Sequence, residues 1–125
     1  MHKIEVSQFI HAAHQLPDTP ELVTKGCKNL HGHTYLIEVE ARDKLNKSSM
    51  VVDFKAIQNI ILILDHTFIN DVFDEYYPKG KVSTAENIAE FINAQIFDKL
   101  GLMNTVRVCE GYKGRELSNW VEYPT

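Results

Sequence analysis

Residues 33–42 read His-Thr-Tyr-Leu-Ile-Glu-Val-Glu-Ala-Arg and decide the fold, because no other stretch of the chain has so clear a strand pattern. Tyr35, Ile37 and Val39 alternate with their neighbours, and alternate residues of a strand face the same side of a sheet. The stretch therefore predicts a strand with one apolar face that packs on a core.

Three further strands are predicted around this one. Residues 3–14 alternate only in part, and the slip between Val6 and Phe9 predicts a bulge near residues 7–10. The other two strands close the chain, at residues 105–109 and 117–123.

Two helices are predicted between the strand pairs. Asp53 is a favourable N-cap for the first, and apolar residues at helical spacing follow it. Residues 70–82 predict a break. Ser83 and Glu86 form a capping box for the second helix, whose apolar stripe ends near Gly101.

The resulting order, β-β-α-α-β-β, indicates an α+β fold in which two helices cover one face of a four-stranded antiparallel sheet. The length suits one domain over residues 1–125. The second face and both edges of such a sheet stay uncovered, and association of several copies would cover them.

Composition excludes several classes of protein. The chain is 44% hydrophobic with a net charge of −4, which excludes intrinsic disorder and argues against nucleic-acid binding. No apolar run approaches the length of a membrane span. The chain opens without a secretory leader and has only two cysteines, so we expect a cytoplasmic protein with no membrane partner.

The strongest chemical signal is His31-Gly32-His33. Residues two apart on a strand face the same side, so both imidazoles can meet one ion. His14 ends the neighbouring strand and would complete a set of three nitrogens, the ligand set of a catalytic zinc with one open position. His11 competes for the third place, but it lies three residues from His14 and faces the opposite side of a regular strand.

Cys27 lies four residues before His31, between Lys25 and Lys28. Nearby positive charge favours the thiolate, which would act as a base or nucleophile. The same sulfur would equally serve as a fourth zinc ligand, closing the site. A third interpretation is an inert thiol, and spacing alone leaves all three open. Cys109 lies among valines and is interpreted as a core residue.

Two acidic positions have both a structural and a functional interpretation. Asp65 would orient His66 as an acid, or the pair would simply end a helix. Glu110 ends a predicted buried strand and needs a partner, either a nearby Arg107 or Lys113 or a ligand that offers two N–H groups.

Taken in order, these segments resemble the 6-pyruvoyl-tetrahydropterin synthase family, which includes the bacterial 6-carboxy-tetrahydropterin synthases of queuosine biosynthesis. The matching segments are residues 9–14, 27–33, 52–54, 64–66 with 69–70, 83–87 and 108–110. The resemblance implies the family's tunnelling fold and zinc held by His14, His31 and His33. It also implies that Cys27 is the catalytic thiol rather than a ligand.

The resemblance further implies that Asp65 and His66 are the proton-transfer partners of the thiol, that Glu110 grips the pterin ring, and that Thr84 lines the pterin pocket. It implies a homohexamer of two stacked trimers. In such an assembly the sheets close into a barrel and the active sites lie at subunit boundaries.

The implied substrate is 7,8-dihydroneopterin triphosphate. In the queuosine branch it gives 6-carboxy-5,6,7,8-tetrahydropterin, acetaldehyde and triphosphate, and the short loops favour this branch. Lys25 and Lys28 are candidates to hold the phosphates. The alternatives are a pyruvoyl-forming synthase and a non-catalytic zinc- or pterin-binding protein with Cys27 as fourth ligand.

Overall fold

A computed structural model describes all residues, 1–125. The elements in chain order are β1 (His2–His14), β2 (His31–Asp43), α1 (Phe54–Ile61), α2 (Ile69–Tyr76), α3 (Ala85–Leu100), β3 (Asn104–Glu110) and β4 (Trp120–Tyr123). None of the helices combines the length and apolar character that a bilayer crossing requires. The α+β class with a four-stranded antiparallel sheet is confirmed, and the helices number three rather than two.

The sheet has the simple order β1-β2-β3-β4, with every neighbouring pair antiparallel. β1 and β2 pair without interruption from His2 opposite Asp43 to His14 opposite His31, so the predicted bulge is wrong. The alternation slips because Gln8, a polar residue, occupies a position on the helix-facing side. The apolar Phe9 then points to the uncovered side, where it packs against Tyr112.

The helices pack on one face of the sheet and enclose the core. The fully buried side chains there include Ile10, Tyr35, Ile37, Phe73, Phe91 and Val108. The uncovered face is charged: Glu38 pairs with Arg107 and Arg115, and both guanidinium groups lie over the Trp120 ring. The two faces therefore differ as the sequence predicts.

The helix termini correct two details of the sequence interpretation. Residues 69–76 form α2 although a break was predicted over 70–82, because Ile69 and Phe73 fall on one helical face and are fully buried. The N-cap of α3 is Thr84, whose Oγ1 accepts the Asn87 N–H, and not Ser83. The predicted cap at Asp53 is confirmed, since its carboxylate accepts the Lys55 N–H at 2.9 Å.

Candidate active site

Strand register brings three histidines together at one end of the sheet. His14 lies directly opposite His31, and His33 lies opposite Ala12, so all three point to the helix-facing side. The ring centroids are 4.4 Å apart for His14 and His31, 4.9 Å for His31 and His33, and 5.2 Å for His14 and His33. We call these three side chains the histidine cluster.

Backbone carbonyls fix the orientation of two of the rings. His14 Nδ1 donates to the Ser83 carbonyl and His31 Nδ1 donates to the Asn29 carbonyl, each at 2.7 Å. Since a carbonyl only accepts, the proton lies on Nδ1 and the Nε2 lone pair faces the cluster. The Nε2 atoms of all three histidines are buried, and none has a hydrogen bond of normal geometry. Buried nitrogens without partners are costly, and a divalent metal ion would satisfy all three, so these residues fit one.

Glu110, at the end of β3, reaches into the same cluster. Its Oε1 lies 2.5 Å from His33 Nε2 and 3.3 Å from His14 Nε2. The four potential ligand atoms, one from each histidine and one from Glu110, all lie within 4.8 Å of one another. The sequence predicts Arg107, Lys113 or a ligand as the partner of this carboxylate, whereas in the structure the imidazoles of His14 and His33 contact it.

The carboxylate and the imidazoles shift each other's protonation. Contact with His14 and the charge of the imidazoles lower the pKa of Glu110, against the effect of burial. Burial acts to lower the pKa of His14, but the Glu110 carboxylate and the Ser83 carbonyl outweigh it and the pKa is raised. Burial, helped by the neighbouring imidazoles, lowers the pKa of His33.

Asn70 and Ser83 support His14, and sequence reasoning did not assign this role to either. Ser83 Oγ donates to Asn70 Oδ1 at 2.8 Å. The Asn70 side chain also clamps the backbone of Gln15, accepting its N–H at 3.1 Å and donating to its carbonyl at 2.9 Å. Asn70 therefore fixes Gln15, which follows His14, and Ser83, whose carbonyl accepts the hydrogen bond from the His14 ring.

His11 does not join the cluster. Its odd position in β1 puts it on the opposite side of the sheet from His14, and its Nδ1 lies 3.0 Å from Thr34 Oγ1. Of the two competitors for the third place, the structure brings His14 to the other two histidines.

Asp65 and His66 contact each other directly. Asp65 Oδ2 lies 2.9 Å from His66 Nδ1, and Asp65 Oδ1 accepts the backbone N–H of His11 at 2.8 Å. That N–H, with the neighbouring His66, lowers the pKa of Asp65. The His66 side chain is 76% exposed, which leaves its Nε2 open. An open groove of about 550 Å³ across the ends of β1 and β2 is lined by both His33 and His66.

Cys27 lies in a short 3₁₀ turn between β1 and β2, Lys25–Lys28, which we call the Cys27 turn. Its half-buried thiol is free. The turn is tied to the residues after His14, because the Leu16 N–H donates to the Cys27 carbonyl at 3.0 Å. The sulfur is not one of the atoms that meet in the histidine cluster; the carboxylate of Glu110 is. Both neighbouring lysines face Asp18, Lys25 at 3.1 Å and Lys28 at 3.8 Å.

Thr84 and Tyr35 complete the surroundings. Thr84 uses its hydroxyl as the cap of α3 and does not line the cavity of about 200 Å³ beside Glu110. That cavity is lined by His33, Glu110, Gly111, Lys113, Leu117, Ser118 and Asn119. Tyr35 is the cross-strand neighbour of Glu110, its buried hydroxyl has no partner, and burial with the Glu110 charge raises its pKa.

Comparison with known proteins agrees with this fold. The family model described as 6-pyruvoyl tetrahydropterin synthase matches residues 3–123. The 6-carboxy-5,6,7,8-tetrahydropterin synthase of Aquifex aeolicus is 32% identical, with 84% of this chain and 80% of that protein covered. A protein from Archaeoglobus fulgidus, described as a putative 6-carboxy-5,6,7,8-tetrahydropterin synthase, is 30% identical, with 86% of each chain covered.

Among solved structures, the Caenorhabditis elegans 6-pyruvoyl tetrahydropterin synthase superposes with a TM-score of 0.68. The sequence identity is 21%, and 98% of this chain and 94% of that chain are covered, so this likeness speaks for the fold. The family match spans nearly the whole chain and agrees with the curated relatives. The chain is therefore an enzyme of the 6-pyruvoyl tetrahydropterin synthase family.

Proposed function

We propose that this enzyme converts 7,8-dihydroneopterin triphosphate and water into 6-carboxy-5,6,7,8-tetrahydropterin, acetaldehyde and triphosphate, as a step of queuosine biosynthesis. The names of the Aquifex and Archaeoglobus relatives support the product. The observation that carries the proposal is the histidine cluster itself, with three buried Nε2 atoms converging beside Glu110.

We assign the histidine cluster, His14, His31 and His33, to a zinc ion. Three imidazole nitrogens are a typical ligand set for a catalytic zinc. The Nδ1 atoms of His14 and His31 donate to backbone carbonyls, which orients the Nε2 atoms of both rings towards the ion. When bound, zinc would act as a Lewis acid that polarises the hydroxyl groups of the pterin side chain.

Three residues would move protons. Cys27, as a thiolate, would remove a proton from a side-chain carbon of the pterin. Asp65 accepts from His66 Nδ1, which leaves the exposed Nε2 of His66 free to give or take a proton as triphosphate departs.

Glu110 and the nearby loops would hold the substrate. A carboxylate pairs naturally with two adjacent N–H groups of the pterin ring, and the cavity beside Glu110 is open to it. Thr84, whose hydroxyl caps α3, would line the pterin pocket only where that pocket extends beyond the cavity beside Glu110. Lys25 and Lys28 would hold the phosphates after their ion pairs with Asp18 break.

We further propose a cytoplasmic homohexamer, two stacked trimers whose sheets form a barrel, in which residues 1–125 are one catalytic domain. Support comes from the uncovered charged face of the sheet and from Cys27, whose sulfur stands apart from the histidine cluster. Multi-angle light scattering on the purified protein tests this proposal, and a monomer at micromolar concentration would contradict it.

Incubation with 7,8-dihydroneopterin triphosphate, followed by mass spectrometry, tests the reaction. The carboxy product and acetaldehyde together equal the pyruvoyl product plus one water, which cleaves the bond between the two side-chain carbonyl carbons. The carboxy product is therefore lighter than the pyruvoyl product by C₂H₂, and their masses separate the branches. Formation of 6-carboxy-5,6,7,8-tetrahydropterin with acetaldehyde supports the proposal. A pyruvoyl product would assign the enzyme to the other branch, and tight pterin binding without any product would indicate a binding protein.

A further inference from the structure

Holding the pterin does not explain why Glu110 contacts the histidine cluster. Its Oε1 contacts two imidazoles of the histidine cluster, at 2.5 Å from His33 Nε2 and 3.3 Å from His14 Nε2. It pairs across the strands with Tyr35, which puts its side chain on the same face of the sheet as His33. Its carboxylate is 32% exposed, so one side of the group faces the cluster and the other faces the adjoining cavity.

Three imidazoles and one carboxylate make a complete tetrahedral set for zinc. A catalytic site needs one position free, which conflicts with a fourth protein ligand. Gripping the pterin through two N–H groups requires both oxygens of Glu110, and one of these oxygens lies in the cluster. The same carboxylate therefore cannot serve the metal and the pterin in full at one time.

We propose that Glu110 is a displaceable fourth ligand, which binds the metal in the absence of substrate and leaves it when the pterin N–H groups take the carboxylate. Substrate binding would then open the coordination position that the reaction needs. The displacement step rests on the proposed function, whereas the metal–carboxylate bond does not.

Metal binding to the full-length protein tests the ligand assignment without any turnover. We expect Glu110→Gln, which keeps the size and removes the charge, to weaken zinc affinity by about 10-fold or more in competition with a chromophoric chelator. Glu40→Gln is the matched control, because Glu40 is similarly exposed at 37% but lies on the opposite face of the sheet. Equal affinities of wild type and Glu110→Gln would overturn the assignment.

The visible spectrum of the Co²⁺-substituted protein tests displacement, with Glu110→Gln as the reference for a site that lacks the carboxylate. Pterin, which has the ring N–H groups but no side chain to reach the metal, should shift the wild-type spectrum towards that of Glu110→Gln and leave the spectrum of Glu110→Gln almost unchanged. A wild-type spectrum that stays unaltered at concentrations where binding quenches pterin fluorescence would overturn displacement, and so would an absence of binding. Intact metal responses without product from dihydroneopterin triphosphate would overturn the proposed function and leave the ligand assignment standing.

Discussion

The histidine cluster and the Cys27 turn lie close together in the chain but are held in different ways. The cluster sits on two paired strands, and His14 is fully buried with its ring fixed by the Ser83 carbonyl. Cys27 sits in one 3₁₀ turn with a half-buried thiol, tied by single backbone hydrogen bonds and exposed ion pairs. The chain thus fixes the three imidazoles by itself, whereas the position of the thiol depends on one short turn.

Removing a ligand from the strand-held region should have the largest effect. We expect His31→Ala to lower zinc affinity by more than about 100-fold, beyond the usual effect of supporting residues, and to reduce turnover to background. Elemental analysis after dialysis and a chelator titration measure the affinity. His11→Ala is the control, since His11 lies on the other face. A zinc content unchanged in His31→Ala would contradict the ligand assignment.

Changing Cys27 should leave metal binding intact, unlike changing a histidine of the cluster. We expect Cys27→Ala to keep its zinc and to lose about 10²- to 10⁴-fold in kcat, the range of a general base. Steady-state kinetics beside elemental analysis separate the two effects. Cys109→Ala, which removes the other free cysteine, should keep turnover per folded molecule. Loss of zinc in Cys27→Ala would instead make the sulfur a ligand.

A smaller effect is expected from changing Asn70, whose hydrogen bonds hold the residues around His14. Asn70→Ala removes the hydrogen bonds that hold Gln15 and Ser83, so we expect zinc affinity to fall by about 10-fold and stability by about 1–3 kcal/mol. Thermal denaturation and chelator competition give the two numbers.

Asn93→Ala is the matched control for this support. Asn93 makes comparable hydrogen bonds to Asn104, far along the chain from the cluster, so it should lose stability and keep zinc affinity. If both asparagine variants lose zinc equally, Asn70 contributes only general stability and has no positioning role.

Sequence predicted the parts of the site that follow from strand geometry. The spacing of His31 and His33, and the odd separation of His11 from His14, decide which imidazoles share a face once the strands pair. The position of Glu110 could not be predicted, because it depends on the register of β2 against β3, whose paired residues lie 63 to 75 positions apart in the chain.

Two other predictions are wrong because of tertiary contacts. Half of residues 69–76 are polar, and burial of Ile69 and Phe73 against the core stabilises them as a helix. The local sequence predicts Ser83 as the N-cap of α3. In the structure the Ser83 hydroxyl donates to Asn70 instead, and Thr84 is the N-cap. Ser83 and Thr84 are adjacent hydroxyl residues that both suit an N-cap, and a tertiary hydrogen bond decides which of them caps the helix.

The smallest effect should come from the exposed ion pairs of the Cys27 turn. Asp18→Asn removes the carboxylate that Lys25 and Lys28 share, and exposed pairs are worth about 0–1 kcal/mol, so stability should barely change. If the freed lysines meet the triphosphate, KM should fall by about two- to fivefold, with kcat unaltered, because less than about 1 kcal/mol is redirected to the substrate. Asp43→Asn, at the far end of β2, controls for the charge change. An unchanged KM in Asp18→Asn would place the phosphates elsewhere, while a marked loss of stability would show that these pairs hold the turn as firmly as hydrogen bonds hold the cluster.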